Sequence, residues 1–366
     1  MQRKHFLLSR TDSIGDVVLS LPMAGIIKEL YPNSKVSFLG RSYTKSVLEC
    51  SEYIDEVYVW DEVQNKGEGE KIGFFKDLKA DVIIHVFPNF EIASLARLAR
   101  IPQRIGTNRR LFHWFTCNNL VSLKRFQSEL HEAQLNLQLL TPISAKPLYD
   151  LEEIPSYYGF SRLPKLERRF RKLSKSDKFN LVLHPKSNGS SKEWGLEKFK
   201  ELISLLPEES FNIFVTGTED EGKVIRKGLG LSARSPIIDL SGALSLPQLI
   251  AFLNEADGIV ASSTGPLHIA SAIGKHAIGI FLPMRPLHPK RWAPLGKLAK
   301  VFVREKDCSD CKLGARCACI ESIKPEDVAE YLFKIANQKL EIDISIPIEE
   351  EITPVPVQEP FTISAQ

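Results

Sequence analysis

The stretch "HFLLSRTDSIGDVVLSLPMAGIIKEL", residues 5–30, joins two different hydrophobic patterns. Its first residues, "HFLL", are typical of a short buried strand, and the residues after Asp16 place apolar side chains at helical spacing. Pro22 falls inside that pattern, so we expect either a kinked helix or a turn followed by a helix. A strand that turns directly into a helix is the repeating unit of doubly wound α/β sheets, which bind ligands at the carboxyl ends of their strands. Asp16 therefore lies at a candidate site, although a carboxylate that only caps a helix is the simpler interpretation.

The same alternation of strand-like and helix-like runs occurs twice along the chain, whose 366 residues are about twice the usual length of a domain. We therefore predict an α/β fold of two Rossmann-like, doubly wound domains that face a central cleft, formed by residues 1–172 and 173–340. Residues 341–366 are acidic and proline-rich without a helical period, and we expect a disordered tail there. The predicted strands are "HFLLS", "KVSFLG", "EVYVW", "DVIIHVF", "RIGT", "FNLVLHP", "FNIFVTG", "IIDLSG", "GIVASS" and "HAIGIFLP".

The composition excludes several classes of protein. The chain is 43% hydrophobic and 25% charged, as expected of a globular protein, and its net charge of +3 is too small to indicate nucleic-acid binding. No stretch approaches the ~18 apolar residues that span a bilayer, and the first residues lack the apolar run of a signal peptide. These features predict a cytoplasmic protein that does not bind nucleic acid.

A polar loop in the second half follows a predicted strand. "HPKSNGSSKEW" (184–194) places Ser187, Ser190, Ser191 and Lys192 before a predicted helix. Hydroxyl groups, backbone N–H groups and a lysine at such a position suit phosphate oxygens. The loop lacks the spacing of a P-loop, so an ordinary polar loop is the alternative.

Another loop, "VTGTEDEG" (215–222), places three acids at a similar turn. An acid there, such as Glu221, could hold ribose hydroxyls, or it could simply favour the start of a helix. The chain contains no Asp-X-Asp sequence, the pattern of clustered carboxylates that would hold Mg²⁺ or Mn²⁺. Charge on a leaving diphosphate would then be met by lysine, hydroxyl groups and helix dipoles.

The stretch "ASSTGPLHIASAIG" (261–274) is the most informative of these loops. Its strand ends in Ser263, Thr264 and Gly265, and the small residues that follow open a tightly packed helix toward the cleft. His268 lies about one helical turn further on, within reach of a phosphate. A lone histidine nevertheless more often satisfies local hydrogen bonds than it binds a ligand.

In the first half, "RIGTNRRLFHWF" (104–115) concentrates Arg104, Arg109, Arg110 and His113 among aromatic residues. Such a mixture is found in nucleic-acid sites, but guanidinium groups also match the phosphates and carboxylates of an anionic saccharide or a lipid headgroup. A solvated basic loop is an equally good interpretation.

Four cysteines lie close together in "CSDCKLGARCAC" (308–319), at Cys308, Cys311, Cys317 and Cys319. Four thiolates in one short segment could bind Zn²⁺ or an iron–sulfur centre. The spacing between the two pairs is shorter than in zinc ribbons, which favours reduced structural thiols over a metal site.

Together these segments resemble the ADP-heptose:lipopolysaccharide heptosyltransferases, glycosyltransferase family 9. The resemblance covers residues 4–338, and several motifs in the same order make it more specific than any one of them. The segments that carry it are "SIGDVVLSLPMAGIIKELYPNSKVSFL", "HPKSNGSSKEWGLEKFKEL", "VTGTEDE", "DLSGALSLPQLIAFLNEADGIVASSTGPLHIASAIG" and "RWAPLG", together with the cysteine-rich segment followed by "IKPEDVAEYL".

The resemblance implies a GT-B fold with an N-terminal acceptor domain and a C-terminal nucleotide-sugar domain. It also implies inverting transfer of heptose, without a metal or other cofactor, from ADP-heptose to the lipopolysaccharide inner core. The acceptor would be an anionic glycolipid of the Kdo–lipid A type, reached by peripheral contact at the inner face of the inner membrane, and the basic loop at 104–115 suits it. By the same resemblance Asp16 is the general base, Lys192 contacts the donor phosphate, Glu221 contacts the ribose, and Thr264, Gly265 and His268 also bind the donor.

One position departs from the family pattern. The family usually has an aspartate directly before the Thr-Gly pair, and this chain has Ser263. The departure favours two alternatives on the same scaffold, a transferase that uses another nucleotide sugar and a sugar-nucleotide epimerase. A non-catalytic protein that binds nucleotide sugars is a third alternative.

Overall fold

The computed structural model describes residues 3–125, 127–174, 177–232, 235–284, 287–304 and 317–345. Within these ranges the chain forms two six-stranded sheets. Every neighbouring pair of strands in both sheets is parallel. The predicted α/β fold of two doubly wound sheets is thereby confirmed.

The first half of the chain builds one sheet and the helices that cover it. Its strands are β1 (His5–Ser9), β2 (Lys35–Gly40), β3 (Glu56–Val59), β4 (Val82–His85), β5 (Gln103–Thr107) and β6 (Asn119–Val121). Its helices are α1 (Ile14–Val18), α2 (Pro22–Leu30), α3 (Lys45–Glu49), α4 (Glu68–Asp77), α5 (Phe90–Leu98), α6 (His113–Thr116) and α7 (Glu132–Gln138), and α8 (Arg168–Ser174) leads to the second half. The strand order is β3-β2-β1-β4-β5-β6, so the winding reverses between β1 and β4.

The second half repeats this arrangement. Its strands are β7 (Phe179–His184), β8 (Phe211–Val215), β9 (Ile238–Asp239), β10 (Gly258–Ser262), β11 (His276–Phe281) and β12 (Ala299–Val303). Its helices are α9 (Leu196–Leu205), α10 (Glu219–Leu229), α11 (Leu246–Glu255), α12 (Gly265–Ile273), α13 (Pro289–Trp292), α14 (Ala318–Glu321) and α15 (Pro325–Ser345). The order β12-β11-β10-β7-β8-β9 reverses between β7 and β10. Loops at the carboxyl ends of the strands beside each reversal flank a crevice that is suited to ligands.

Of the two alternatives at Pro22, the structure has a turn followed by a helix, because Pro22 begins α2, where its missing N–H costs no hydrogen bond. The structure differs from the sequence prediction in three places. The edge strands β6 and β12 were not predicted, because their apolar runs are at most three residues long and their apolar side chains are half-buried. The predicted tail begins too early, since α15 continues through Ser345, while residues 346–366 lie outside the described part of the chain. The predicted division at residue 172 falls inside α8, which packs against α11.

The two sheets are joined by a shared hydrophobic cluster. It includes Val18 of α1 and Leu267 of α12, both fully buried. The two helices meet closely at their starts, where a β-carbon on Gly265 would come 2.7 Å from Cγ2 of Ile14. Glycine at 265 therefore permits the contact between the two halves. Among the described residues, no helix combines the length and apolar character needed to cross a bilayer.

Two glycines test the packing of the first half. A β-carbon on Gly25 of α2 would come 2.6 Å from the carbonyl oxygen of Tyr157. Because backbone cannot rotate away as a side chain can, we expect Gly25→Ala to lower the free energy of unfolding by about 1–3 kcal/mol. In α4, a β-carbon on Gly73 meets nothing within 4 Å, so Gly73→Ala should raise it by about 0.5–1 kcal/mol. Urea unfolding measures the free energy of unfolding of each variant relative to the wild type. A change of the same sign in both variants would contradict this packing.

Candidate active site

A cavity of about 760 Å³ opens between the carboxyl ends of the two sheets. It is bounded by the loop between β1 and α1 on one side and by the loops after β7, β8 and β10 on the other. Both sheets therefore present to it the edge at which doubly wound folds bind ligands. The structure brings eight of the sequence-predicted residues into its wall, namely Asp16, Ser187, Ser190, Glu221, Ser263, Thr264, Gly265 and His268.

Asp16 lies in the first turn of α1, and 21% of its side chain is exposed. One carboxylate oxygen accepts a hydrogen bond from Nη2 of Arg10, and the other accepts one from Oγ of Ser13. Both of these bonds come from side chains rather than from the helix backbone. The carboxylate is therefore oriented by its neighbours toward the cavity, which goes beyond the simpler role of a helix cap.

The glycine before Asp16 is explained by a close approach from the second half. A β-carbon on Gly15 would come 3.0 Å from Cδ2 of His268. Burial, with a smaller contribution from nearby His131, lowers the pKa of His268 to about 3. Among the described residues, Nδ1 of His268 has no hydrogen-bond partner. His268 therefore packs on α1 as a neutral imidazole, and its role toward the donor stays a prediction.

Arg10 lies behind Asp16 with only 3% of its side chain exposed. It donates to the carboxylate of Asp12 at 2.8 Å and 3.0 Å and to Oδ1 of Asn136 at 3.0 Å. Burial alone would lower the pKa of this guanidinium, but Asp12, Asp16 and Glu132 together outweigh burial and raise it. Burial raises the pKa of Asp12 to about 6, with Arg10 opposing the change and Asp16 adding to it. Arg10 is thus permanently charged and holds Asp16 in place.

Glu132 begins α7 with 2% of its side chain exposed and lies among three arginines. Nη2 of Arg10 is 3.6 Å from Oε1, and Nε and Nη2 of Arg291 are 3.1 Å and 3.0 Å from Oε2. Arg125 also donates to Oε1. Burial would raise the pKa of Glu132, but the three guanidinium groups outweigh burial and lower it. Because Arg291 belongs to α13, this ionic cluster joins the two halves of the chain directly behind Asp16.

A hydrogen bond from His131 joins the halves at the same place. Its Nδ1 accepts the backbone N–H of Ala133 at 3.1 Å, so Nε2 carries the proton and donates to the carbonyl oxygen of Ala293 at 2.9 Å. Burial lowers the pKa of His131 to about 4, which keeps the imidazole neutral. Ala293 follows α13 directly, so this bond holds the segment that carries Arg291.

On the other side of the cavity, Glu221 ties the loop after β7 to the start of α10. Its Oε1 accepts the N–H of Asn188 at 3.1 Å, and its Oε2 accepts the N–H of Thr218 at 2.8 Å. Oγ1 of Thr218 accepts the N–H of Glu221 in return, at 3.3 Å, which completes a capping box. The helix-start interpretation of this acid is confirmed, and its carboxylate also lines the cavity.

Two serine hydroxyl groups of the loop after β7 donate to backbone carbonyls. Oγ of Ser187 donates to the carbonyl oxygen of Ser191 at 2.8 Å, and Oγ of Ser190 donates to that of Ser263 at 3.5 Å. The hydroxyl of Thr264, at the start of α12, is buried without a hydrogen-bond partner among the described residues. The lining residues that the structure describes include no lysine or arginine. The start of α12, which has no side-chain cap and no acid in its first turn, is therefore the expected source of positive potential at this wall, whereas three acids occupy the first turn of α10.

Two of the predicted donor residues, Ser191 and Lys192, lie outside the residues that line the cavity. Ser191 supports the loop through its carbonyl oxygen, and Lys192 is half-buried beside the ion pair of Lys186 and Glu193. The role of Lys192 toward a phosphate stays a prediction.

Sequence reasoning missed an apolar end of the cavity. Four leucines line it, Leu240 and Leu244 before α11 and Leu246 and Leu249 within it. Such residues resemble ordinary core in a sequence, and no local pattern distinguishes them from it. The polar residues Tyr43, His184 and Thr216 were also missed. Nδ1 of His184 lies 2.9 Å from Oγ1 of Thr216, and burial lowers the pKa of that imidazole to about 4.

The structure places the four predicted residues of the basic acceptor segment in different environments, some buried and some exposed. His113 is fully buried, and its Nδ1 donates to the carbonyl oxygen of Thr107 at 3.0 Å. The prediction of an acceptor contact is therefore wrong for His113, which the fold uses as an anchor. Arg104 is half-buried and donates to the carbonyl oxygen of Thr116 at 2.8 Å. Only Arg109 and Arg110 of the four predicted residues are exposed, and they remain candidates.

Of the four clustered cysteines, Cys308 and Cys311 lie outside the described residues. Cys317 and Cys319 are buried in the hydrophobic core of the second half. In the part of the chain that the structure describes, no three His, Cys, Asp or Glu side chains form a metal-ligating group. A metal bound by all four cysteines therefore stays untested.

We expect Glu132→Gln to destabilise the protein far more than Glu129→Gln. Loss of the buried charge leaves guanidinium groups without their counter-ion, at a cost of about 3–5 kcal/mol in the free energy of unfolding. Glu129 contacts Lys290 at 3.7 Å, with 58% and 70% of the two side chains exposed, and its loss should cost less than ~1 kcal/mol. Urea midpoints of the two variants measure the contrast, and equal losses would show that Glu132 is not a structural counter-ion.

Comparison with known proteins identifies the family. The model of glycosyltransferase family 9 (heptosyltransferase) matches residues 74–318. Lipopolysaccharide heptosyltransferase 3 of Escherichia coli K12 is 25% identical over 73% of this chain and 79% of its own length. A glycosyltransferase of family 9 from Veillonella parvula superposes with a TM-score of 0.73 at 17% identity, over 92% of this chain and 98% of that one. The ADP-heptose lipopolysaccharide heptosyltransferase II of E. coli superposes with a TM-score of 0.69 at 16% identity, over 92% and 99%.

At these low identities the two superpositions show the shared fold, and the GT-B architecture expected from the sequence resemblance is confirmed. The family model spans more than half of the chain, including the donor-side loops and α12. The chain therefore belongs to glycosyltransferase family 9, the heptosyltransferase family, and is a glycosyltransferase.

Proposed function

We propose that the protein is an inverting, metal-independent transferase that moves heptose from ADP-heptose to a hydroxyl group of the lipopolysaccharide inner core. The observation that carries the proposal is the position of Asp16, an oriented carboxylate in the cavity wall opposite the donor-side loops. An acceptor hydroxyl is a poor nucleophile until a base takes its proton. In the proposed step, that proton goes to Asp16 while the acceptor oxygen bonds to the anomeric carbon. The bond from that carbon to the diphosphate breaks, and ADP leaves with the electron pair.

In this proposal the two halves of the chain bind different substrates. Residues 1–172 bind the acceptor, an anionic glycolipid of the Kdo–lipid A type, with Arg109 and Arg110 toward its phosphates or carboxylates. Residues 173–340 bind the nucleotide sugar. Glu221 accepts hydrogen bonds from the ribose hydroxyls, and the leucine-lined end of the cavity packs on the adenine ring.

The leaving diphosphate receives its stabilisation from fixed dipoles and short polar side chains. The uncapped start of α12 offers backbone N–H groups to the cavity, and Ser187 and Ser190 line the same cavity. Lys192 is the proposed cation, so no divalent metal is needed. The relatives' names support the donor and the acceptor, since one is a lipopolysaccharide heptosyltransferase and another an ADP-heptose lipopolysaccharide heptosyltransferase. We place the reaction at the cytoplasmic side of the inner membrane, where a lipid-anchored acceptor and a nucleotide sugar meet.

The first test is ADP release from ADP-heptose by purified protein, with Kdo–lipid A present and absent, in EDTA. We expect acceptor-dependent release that EDTA does not reduce. Asp16→Asn keeps the shape of the side chain and removes the base, so kcat should fall by about 10²–10⁴-fold. The dissociation constant for ADP-heptose, measured by calorimetry, should stay within about twofold, because the base does not hold the donor.

Asp12→Asn is the matched control, because Asp12 shares Arg10 with Asp16 but does not line the cavity. We expect it to lower kcat by less than about tenfold, through looser positioning of Arg10. An equal loss in both variants would mean that Asp16 acts only within the ionic cluster, and full activity of Asp16→Asn would refute its role as base.

A second candidate is transfer from a different nucleotide sugar, and Ser263 favours it. Ser263 lines the cavity directly before the Thr-Gly start of α12, where the family usually carries an aspartate. A hydroxyl in place of a carboxylate removes a negative charge and a strong acceptor for sugar hydroxyls. Initial rates measured with a panel of ADP- and UDP-sugars distinguish between the possible donors. We expect the highest kcat/KM for ADP-heptose, and Ser263→Asp should sharpen that preference, whereas faster turnover of another sugar would replace the heptose assignment.

A further inference from the structure

The first half of the chain exposes four large apolar side chains close to one another. They are Phe90 of α5 (64% exposed) and Leu111, Trp114 and Phe115 around α6 (76%, 59% and 67%). The two helices pack together, and the ring of Phe90 contacts that of Phe112 with centroids 5.6 Å apart. Single exposed apolar residues are ordinary, but four such side chains on or beside two packed helices are typical of an interaction surface. We call these four residues the aromatic patch.

The local structure holds the aromatic patch outward. The buried ring of His113 anchors the segment through its bond to Thr107, so the flanking residues face away from the core. Nε1 of Trp114 donates to the carbonyl oxygen of Asn108 at 3.0 Å, which satisfies the polar edge of the indole and leaves its apolar face in solvent. Hydrogen bonds of the folded chain therefore hold the side chains of the aromatic patch in solvent.

Basic side chains surround the aromatic patch. Arg109 and Arg110 directly precede Leu111, and both are exposed. Arg97 is exposed on α5, seven residues after Phe90, and so lies on the same face of that helix two turns away. The acid nearest in sequence, Glu91, pairs with Lys71. The surface therefore combines exposed aromatic rings with positive charge.

We propose that the aromatic patch docks on the surface of an anionic lipid bilayer, an inference that rests on the proposed function because the acceptor is anchored in lipid. Tryptophan and phenylalanine side chains settle at the boundary between headgroups and acyl chains. Arg97, Arg109 and Arg110 then lie against lipid phosphates, with their apolar stems along the membrane surface.

The position of the aromatic patch within the fold supports a lipid partner over a second protein. The segment around α6 leaves the carboxyl end of β5, at the same edge of the sheet as the loop that carries Asp16. β5 is two strands from β1, which corresponds to about 10 Å across the sheet. The backbone N–H of Phe87, just before α5, donates to the carbonyl oxygen of Ser9 at 3.2 Å, so the segment that leads to Phe90 contacts the end of β1. Docking through the patch thus brings the cavity mouth to headgroup level, where the sugar of a glycolipid is accessible while its acyl chains stay in the bilayer.

The test is co-sedimentation of the full-length protein with vesicles, with neither donor nor acceptor present. We expect binding to vesicles that contain phosphatidylglycerol, and weaker binding to pure phosphatidylcholine. The double variant L111S/F115S should bind at least about tenfold more weakly, because two apolar side chains no longer enter the membrane. The matched control is L205S/V224S, which removes apolar side chains that are 39% and 51% exposed on the second half, and it should bind like the wild type.

Two further measurements keep the test independent of folding defects. R109Q/R110Q should lose binding to anionic vesicles selectively and weaken its dependence on salt. Trp114 is the exposed one of the four tryptophans, since Trp60 and Trp194 are buried and Trp292 is half-buried. A blue shift of fluorescence on addition of anionic vesicles therefore reports its entry into the membrane.

Several outcomes would overturn the proposal. They are the absence of vesicle binding by the wild type, undiminished binding by L111S/F115S, and equal binding to both lipids. A change in oligomeric state caused by L111S/F115S, with no vesicle binding by the wild type, would assign the aromatic patch to a protein partner instead. Failure of the proposed function is separate, because a wild-type protein that binds vesicles but releases no ADP refutes only the transfer. One that transfers heptose but ignores vesicles refutes only the docking.

Discussion

The carboxylate of Glu132 lies in the protein interior with the guanidinium groups of Arg10, Arg125 and Arg291 around it. Each of these charges would be costly to bury alone, so they are stable there only as a group. Arg291 comes from the second half of the chain, and Arg10 extends the cluster to Asp16 at the cavity wall. The contact that joins the two sheets is therefore the same contact that orients the proposed base. The orientation of Asp16 and the contact between the two halves therefore depend on one another.

The packing of α1 against α12 also joins the two halves at the site, through apolar contacts. Gly15 and Gly265 allow the two helix starts to approach, where a β-carbon at either position would press on His268 or Ile14. One helix start carries the carboxylate that we propose as the base, and the other carries backbone N–H groups that suit a diphosphate. Small residues at these two points thus bring both partners of the proposed reaction to one cavity.

The repeating units of the fold were predictable from the sequence because their signals are local. Periodicity located nearly every buried strand and the helices around the cleft, and polar loops after strands marked Asp16, Glu221 and Thr264. The edge strands β6 and β12 were not predicted because their apolar runs are at most three residues long and their apolar side chains are half-buried. The partners of Glu132 escaped for a different reason. Arg10 and Arg291 lie more than 100 positions from it, and no local pattern marks an ion pair formed only by the folded chain.

The basic segment shows the limit of composition as a guide to function. His113 and the arginines were grouped because they are neighbours in sequence. In the folded chain His113 is buried, whereas Trp114 and Phe115 directly after it are exposed. A list of residue types cannot distinguish these directions. The exposed leucine and aromatic side chains of the same segment became informative only once their accessibility was known.

His184 and His268 line the cavity, and His131 lies close to His268. Burial lowers the pKa of His131 to about 4, of His184 to about 4 and of His268 to about 3. None of them changes charge near neutral pH. The carboxyl of Asp12, by contrast, has its pKa raised to about 6, in the range usually assigned to histidine. Protonation of Asp12 as the pH falls through that value removes one carboxylate partner of Arg10, so Asp16 and Glu132 are its remaining anionic partners. Because Arg10 orients the proposed base, a residue outside the cavity lining thereby makes the position of Asp16 sensitive to pH.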